Sequence, residues 1–218
     1  MKIASVSENR NIEKRIAITP EVAKKYISSG FEVVISKNYG DHLGFLDENY
    51  KSLGVSILEN ENEVIKNSDV MVQLGLPSDE KLDFLKENQI LVGVLNPYSN
   101  KDKIDKLVKK KIQNFSLELL PRITRAQSMD ILSSQANLAG YKSVIESFAN
   151  FEKAVPMMMT AAGTVPAAKV LVVGAGVAGL QAIATAKRMG AIVFATDVRM
   201  ASKEQVESLG GKFLVVEG

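Results

Sequence analysis

The chain has 218 residues, of which 46% are hydrophobic and 24% are charged, and its formal net charge at pH 7 is +2. This composition is typical of a globular protein with one large or two small domains, and the balanced charge argues against a nucleic-acid partner. The chain has no cysteine and a single histidine, His42 in a glycine-flanked loop, which argues against disulfides, thiolate chemistry, a metal site and a Ser-His-Asp triad.

No stretch of the sequence predicts membrane insertion. The first ten residues lack the apolar core of a signal peptide. The most apolar stretch, residues 169–189, is short between its flanking lysines and carries three glycines in motif spacing, so we expect it not to span a bilayer. The sequence therefore favours a cytoplasmic protein.

Short apolar runs alternate with helical patterns through the first half of the chain. The runs predict strands at residues 2–6, 33–36, 55–58, 70–74, 90–94 and 116–120. The helical patterns begin after Thr19 and at residues 47 and 102, and in the last of them Ile104, Leu107 and Val108 are predicted to form the buried stripe. Continuous apolar strands are typical of a sheet buried on both faces, so residues 1–125 predict a doubly wound, flavodoxin-like or Rossmann-like α/β domain.

A second series of the same kind follows. A long helix is expected over about residues 134–151, and the small residues of TAAGTVP at 160–166 predict a hinge. Strands are then predicted at 170–173, 192–196 and 213–216, with helices at 180–189 and 203–209.

These patterns predict an α/β fold class with two doubly wound parallel-sheet domains, the second incomplete. We expect a linking segment at residues 126–160 and the first half of a dinucleotide-binding domain at 161–218. A complete domain of this type has about six strands. With three, the second domain is expected to be C-terminally truncated, with an exposed apolar edge beside its first strand.

The second series opens with KVLVVGAGVAG, in which Gly174, Gly176 and Gly179 form GxGxxG directly after a strand. In a dinucleotide site the first glycine allows the tight turn, the second allows the pyrophosphate close to the backbone, and the third allows helix and strand to pack closely. Asp197 ends the following strand, where a carboxylate can accept hydrogen bonds from both ribose hydroxyls of NAD(H) and would repel the 2′-phosphate of NADP(H). Arg199 could soften that repulsion, but the pattern favours NAD(H). The alternative is a glycine turn needed only for packing.

A polar loop, PRITRAQSMDILSS at residues 121–134, stands between apolar stretches. With MMMTAAGTVPAAKVLVVGAGVAGLQ and KEQVESLGGKF, it resembles the NAD(H)-binding component, domain I, of proton-translocating NAD(P) transhydrogenases. The resemblance implies that Arg122 and Ser133 hold the nicotinamide end of NAD(H), that Gln127 reaches towards the nucleotide of a partner domain, and that Asp130 orients the loop. Arg125 is interpreted as a surface charge. The plainer alternative is a cap-and-turn segment in which Asp130 and the serines only start a helix.

The resemblance also implies cofactors, partners and a location. Val177 and Ala178, inside the glycine turn, would contact NAD(H) through their backbone, and NADP(H) would be bound on a partner domain. Hydride transfer from NADH to NADP⁺ needs two nicotinamide rings held close together and no general acid, base or metal, which suits a loop of positioning groups. The partners implied are the membrane and NADP(H)-binding subunits and a second copy of this chain, with the protein peripheral to the inner face of the cytoplasmic membrane.

Two alternatives stay open. An alanine dehydrogenase-like oxidoreductase would share the fold and the early arginine, Arg15, but that family uses a lysine where this chain has Gln73 and a histidine that is absent near Asn96. Arg15 would then be a structural remnant paired with Glu8 or Glu13. The other alternative is a truncated or split-gene fragment that has no activity alone.

Overall fold

A computed structural model of the protein describes residues 1–215 and divides the chain into two compact units. The first comprises Met1–Met129 and the second begins at Asp130. The long helix that we expected to link two domains therefore belongs to the second unit. The last residue of the strand predicted at 213–216, Val216, lies outside the described residues.

The first unit is a six-stranded, all-parallel sheet. Its strands are β1 (Lys2–Ser5), β2 (Glu32–Ser36), β3 (Ser56–Leu58), β4 (Val70–Gly75), β5 (Ile90–Val94) and β6 (Gln113–Ser116). Its helices are α1 (Pro20–Ser28), α2 (Asp47–Lys51), α3 (Glu61–Lys66), α4 (Asp79–Asp83) and α5 (Lys101–Lys109). The strand order β3-β2-β1-β4-β5-β6 is that of a doubly wound fold, so the predicted fold class is confirmed for this unit.

Successive side chains of the central strands enter different hydrophobic clusters on the two faces of this sheet. On β1, Ile3 joins the cluster that contains Val33 and Tyr50, while Ala4 joins the cluster that contains Met71. Because both faces are covered, the strands read as unbroken apolar runs rather than alternating ones. The order of strands reverses between β1 and β4, which pair through Ile3 and Val70.

The second unit carries a three-stranded parallel sheet in the order β11-β10-β9. Its elements in chain order are α6 (Ile131–Ala149), β7 (Met158–Thr160), β8 (Gly163–Val165), β9 (Lys169–Val173), α7 (Val177–Arg188), β10 (Ile192–Thr196), α8 (Ser202–Ser208) and β11 (Lys212–Phe213). Helices α6 and α7 lie close together at Gly140, where a side-chain methyl would overlap the carbonyl oxygen of Ala178. Within the described residues, β9 is an edge strand, as the sequence predicted.

Three local predictions were wrong. Residues Leu117–Leu119 form a 3-10 turn rather than a strand, because the edge strand β6 is the half-polar segment before them. Val108 is 59% exposed, since it lies about 100° round the helix from the buried Leu107. The segment expected to be a hinge pairs instead as an antiparallel hairpin of β7 and β8.

Candidate functional site

The turn between β9 and α7 is built around two glycines that the fold itself requires. Gly174 has φ +96°, a left-handed conformation that strains any other residue, and its N–H donates to Thr196 O at 2.8 Å. Gly179 lies in the first turn of α7, where a methyl group would overlap the carbonyl oxygen of Gly174. Both glycines would therefore be needed whether or not a nucleotide binds.

Gly176 is different from its two neighbours in the motif. It is the N-cap of α7 with φ −79°, which any residue can adopt, and a methyl group built on it would have no atom within 4 Å. Neither backbone conformation nor packing explains a glycine here. A ligand that must approach the backbone at the first turn of α7 does explain it, because unpaired N–H groups and the helix dipole favour an anion at that place.

Asp197 follows β10 and accepts four hydrogen bonds. Its Oδ2 accepts from Ala175 N at 2.7 Å and from Arg199 Nη2 at 3.0 Å. Its Oδ1 accepts from Arg199 N at 2.8 Å and from Arg199 Nε at 2.9 Å. The side-chain hydrogen bonds of Arg199, followed by the backbone ones, hold the pKa of Asp197 far below its usual value. The carboxylate is therefore a permanent acceptor that also ties β10 to the glycine turn.

A crevice of about 640 Å³ opens beside this carboxylate. It is lined by the glycine turn, Thr196 and Asp197, and by four apolar residues, Val173, Val198, Met200 and Val215. Val198 is fully exposed. The volume and the apolar lining with few polar groups suit a small-molecule site. Sequence reasoning missed the apolar lining, although Val198 and Met200 directly follow the acid that it singled out.

The polar loop places its predicted residues in two settings. Asp130 is the N-cap of α6, where Oδ1 accepts from Ser133 N at 2.9 Å and Oδ2 accepts from Ser133 Oγ at 2.7 Å. These two residues are thus held together in one cap, as the plainer interpretation expects. Arg122 and Gln127 lie on the preceding segment, and their side chains are exposed.

The first unit contains a buried polar network that the sequence did not reveal. Gln73 is 3% exposed, and its Oε1 accepts from Ser5 Oγ and Val6 N while its Nε2 donates to Val6 O and Glu8 Oε1. Burial raises the pKa of the Glu8 carboxyl. Every polar atom of the Gln73 amide therefore has a structural partner.

Arg15 binds Glu13 through a forked pair of hydrogen bonds of 2.8 and 2.6 Å. It lines a cleft of about 320 Å³ with Glu8 and Asn96 at the carboxyl ends of β1, β4 and β5. His42 contacts Lys14 O at 2.7 Å and lies outside this cleft. Within residues 1–215, no group of three or more His, Cys, Asp or Glu side chains is placed to hold a metal ion.

Comparison with known proteins bears on both units. The model of the family described as "Alanine dehydrogenase/PNT, N-terminal domain" matches residues 5–139, and that of "Alanine dehydrogenase/PNT, C-terminal domain" matches residues 143–217. In the part of the chain that the structure describes, no helix has the length and hydropathy to cross a membrane.

Individual proteins give the same result in more detail. The chain is 51% identical over 222 aligned positions to the first of the polypeptides that make up NAD(P) transhydrogenase subunit alpha in Rhodospirillum rubrum, covering 100% of this chain and 58% of that one. It is 51% identical to the corresponding protein of Rickettsia prowazekii, with the same coverage. A solved transhydrogenase structure from Sinorhizobium meliloti superposes with a TM-score of 0.95 at 46% identity, over 99% of this chain and 64% of that one. The chain thus spans less than two thirds of the length of these relatives.

Proposed function

The chain belongs to the alanine dehydrogenase/PNT family, and on that basis we propose that it is the NAD(H)-binding component of a proton-translocating transhydrogenase. In this proposal, hydride passes from NADH on this chain to NADP⁺ on a partner domain. The relatives that are named as transhydrogenase alpha subunits support the proposal. Their names alone do not assign a role to any residue of this chain.

The observation that carries the proposal is the open space around Gly176. A glycine whose conformation and surroundings would accept a methyl group points to a ligand that approaches its backbone. The crevice beside it ends at a buried carboxylate, Asp197, 22 positions after Ala175. A diphosphate at the first turn of α7 and a ribose diol at Asp197 fit these two features.

Each residue of the chain has a positioning role in this proposal. The backbone of Gly174, Gly176, Val177, Ala178 and Gly179 cradles the diphosphate, and Asp197 accepts the ribose hydroxyls. NAD(H) supplies the hydride chemistry when it is bound.

The polar loop holds the nicotinamide end. Arg122 and Ser133 contact that end of the cofactor, and Gln127 faces the nucleotide on the partner domain. Because both oxygens of Asp130 are engaged with Ser133, the role of Asp130 is to fix the start of α6 and so the loop before it. No proton has to be moved by a side chain, which agrees with the lack of a cysteine or a second histidine.

Partners and location follow from the same proposal. The chain works with the membrane and NADP(H)-binding subunits of a transhydrogenase, peripheral to the inner face of the cytoplasmic membrane, and as a homodimer. Exposed apolar side chains on α6, at Leu138 and Tyr141, support an interface of this unit with another protein surface.

An alanine dehydrogenase activity is disfavoured by the surroundings of Gln73. An amide whose oxygen and nitrogen are both satisfied inside the protein cannot supply the amine that the sequence comparison expects of a lysine at this place. We therefore expect no alanine-dependent reduction of NAD⁺ by this chain.

A fragment without activity alone is the other candidate, and the free edge of β9 supports it. In the described residues this strand pairs only with β10, and Leu171 and Val173 are 59% and 79% exposed. A second polypeptide or a longer chain could complete the sheet there.

NADH titration of Asp197→Asn tests the proposed function. We expect the dissociation constant to rise about tenfold or more, because an amide donates where the ribose hydroxyls need an acceptor. Asp102→Asn, an exposed aspartate in the first turn of α5, is the matched control and should bind NADH as the wild type does. Equal affinity of Asp197→Asn and the wild type, with both folded by circular dichroism, would remove the ribose role of Asp197.

A further inference from the structure

We propose that Arg199 competes with the ribose of the nucleotide for the Asp197 carboxylate, and so limits both the affinity for NAD(H) and the preference over NADP(H). This inference rests on the proposed function, because it concerns the same crevice. It assigns to Arg199 a specificity role that the glycine motif and the acid do not contain.

The first step is the number of acceptor positions on Asp197. A carboxylate has about four lone-pair positions for hydrogen bonds. Four donors already occupy them, namely the backbone N–H groups of Ala175 and Arg199 and the Nε and Nη2 groups of Arg199. A ribose diol brings two further donors, so two of the existing donors must leave.

The second step is which donors can leave. The Ala175 N–H lies in the turn between β9 and α7, and the Arg199 N–H lies in the turn after β10, so neither can leave without rebuilding the backbone. The guanidinium can leave by side-chain rotation alone. The side chain of Arg199 is 62% exposed while that of Asp197 is 6% exposed, so a released guanidinium returns to water and the carboxylate stays in place. Two donors leave and two arrive.

The third step concerns the 2′-phosphate. A guanidinium tethered two residues after the acid can pair with a phosphate through the same fork that it offers to Asp197. Arg199 therefore opposes binding of NAD(H), which has to displace it, and assists binding of NADP(H), which can use it. Both effects weaken the discrimination that Asp197 would provide alone.

The fold does not depend on this side chain. The carbonyl of Arg199 accepts from Ser202 N at 3.0 Å, a backbone bond that leads into α8 and that any residue can make. Removal of the guanidinium should thus leave the turn intact, because the two backbone hydrogen bonds to Asp197 remain.

Calorimetric titration of the full chain with NADH and with NADPH tests the inference. Relative to the wild type, Arg199→Ala is expected to bind NADH about two- to fivefold more tightly, a modest gain because exposed ion pairs contribute little. It should bind NADPH more weakly by a similar factor. Arg199→Lys keeps the charge without the fork, so its NADH affinity should lie between the two while NADPH binding stays near wild type. Arg188→Ala, an exposed arginine in the last turn of α7, is the control and should change neither affinity.

Unchanged or weaker NADH binding by Arg199→Ala, with the wild type binding NADH, overturns the competition and leaves the proposed function standing. The same holds if NADPH binding is unaffected. Absence of NADH binding to the wild type and to every variant, with all of them folded, overturns both the proposed function and this inference.

Discussion

The three glycines after β9 separate fold from function at the level of single residues. Gly174 answers to backbone conformation and Gly179 to close packing, so both would persist in a protein that binds nothing. Gly176 answers to neither. Substitution of the three glycines by alanine therefore distinguishes a nucleotide-binding turn from a turn that only connects a strand to a helix.

Gly176→Ala and Gly179→Ala form a matched pair. We expect Gly176→Ala to unfold within about 0.5 kcal/mol of the wild type and to bind NADH about tenfold more weakly, since its methyl meets only the ligand. Gly179→Ala should lose about 1–3 kcal/mol of unfolding free energy, because its methyl overlaps the backbone of Gly174. Urea unfolding and NADH titration measure the two effects. Wild-type NADH affinity in Gly176→Ala would show that packing alone explains the motif.

Gln127 provides a second test at this scale. In the enzyme assembled with its membrane and NADP(H)-binding partners, Gln127→Asn should slow hydride transfer about tenfold or more, because shortening the side chain changes the approach of the two rings. The dissociation constant for NADH should change less than about threefold. Arg125→Ala, an exposed neighbour on the same segment, should alter neither quantity. A collapse of affinity with an unchanged transfer rate would contradict the role given to Gln127.

Site residues were predictable where the signal was local in sequence. The glycine turn and Asp197 belong to one strand–helix–strand stretch, and the structure joins them through a single hydrogen bond from Ala175 N. The network around Gln73 was not predictable, because Ser5 lies 68 positions away on another strand. The engagement of both Asp197 oxygens by Arg199 also needed coordinates, since spacing in sequence does not show which donor a carboxylate accepts.

At the scale of elements, buried and well-capped segments were the easiest to predict. Helix α1 begins after Thr19, whose side chain accepts from Val22 N, with Pro20 in its first turn, as predicted. Strand β5 has the predicted bounds. The edge strand β6 was misplaced, because its half-polar sequence lacks the apolar run by which central strands are found. The five- and six-residue helices α4 and α3 were not predicted, since fewer than two turns leave little periodicity to detect.

Strand β9 is the element whose surroundings bear most on function. Gly174 N donates to Thr196 O of the neighbouring strand, and hydrogen-bonding direction alternates along a strand, so Leu171 and Val173 direct their N–H groups to the free edge. An apolar cleft of about 430 Å³, lined by α6 residues such as Phe148 and by β9, lies at the same edge. Both features suit a further parallel strand.

Leu171→Pro tests whether that edge accepts a strand. We expect the segment of the Rhodospirillum rubrum relative beyond the matched stretch to bind this chain and to raise its NADH affinity. Proline removes only an N–H that faces away from β10, so the variant should fold and lose the effect of the segment about tenfold or more. Leu171→Val, which keeps the N–H, is the control. Equal complementation of both variants, or none of the wild type, would show that β9 is not the docking edge.

At the scale of the whole molecule, the two units differ in completeness. The first has all six strands of a doubly wound sheet, whereas the second has strand, helix, strand, helix and strand from β9 to β11. That series is one mononucleotide-binding half of a dinucleotide fold. The adenosine diphosphate moiety of NAD(H) therefore needs only elements that the described residues contain, while the nicotinamide moiety depends on further groups.

The most direct measurement is a nuclear magnetic resonance titration of the nitrogen-15-labelled chain with ADP-ribose. The account predicts saturable shifts of the Ala175, Gly176 and Val177 amides and of the Arg199 Nε–H resonance, all weakened in Asp197→Asn. Resonances of the first unit should stay in place. If the turn amides do not move, or if they move equally in Asp197→Asn, the claim that this turn and this acid bind the nucleotide is contradicted.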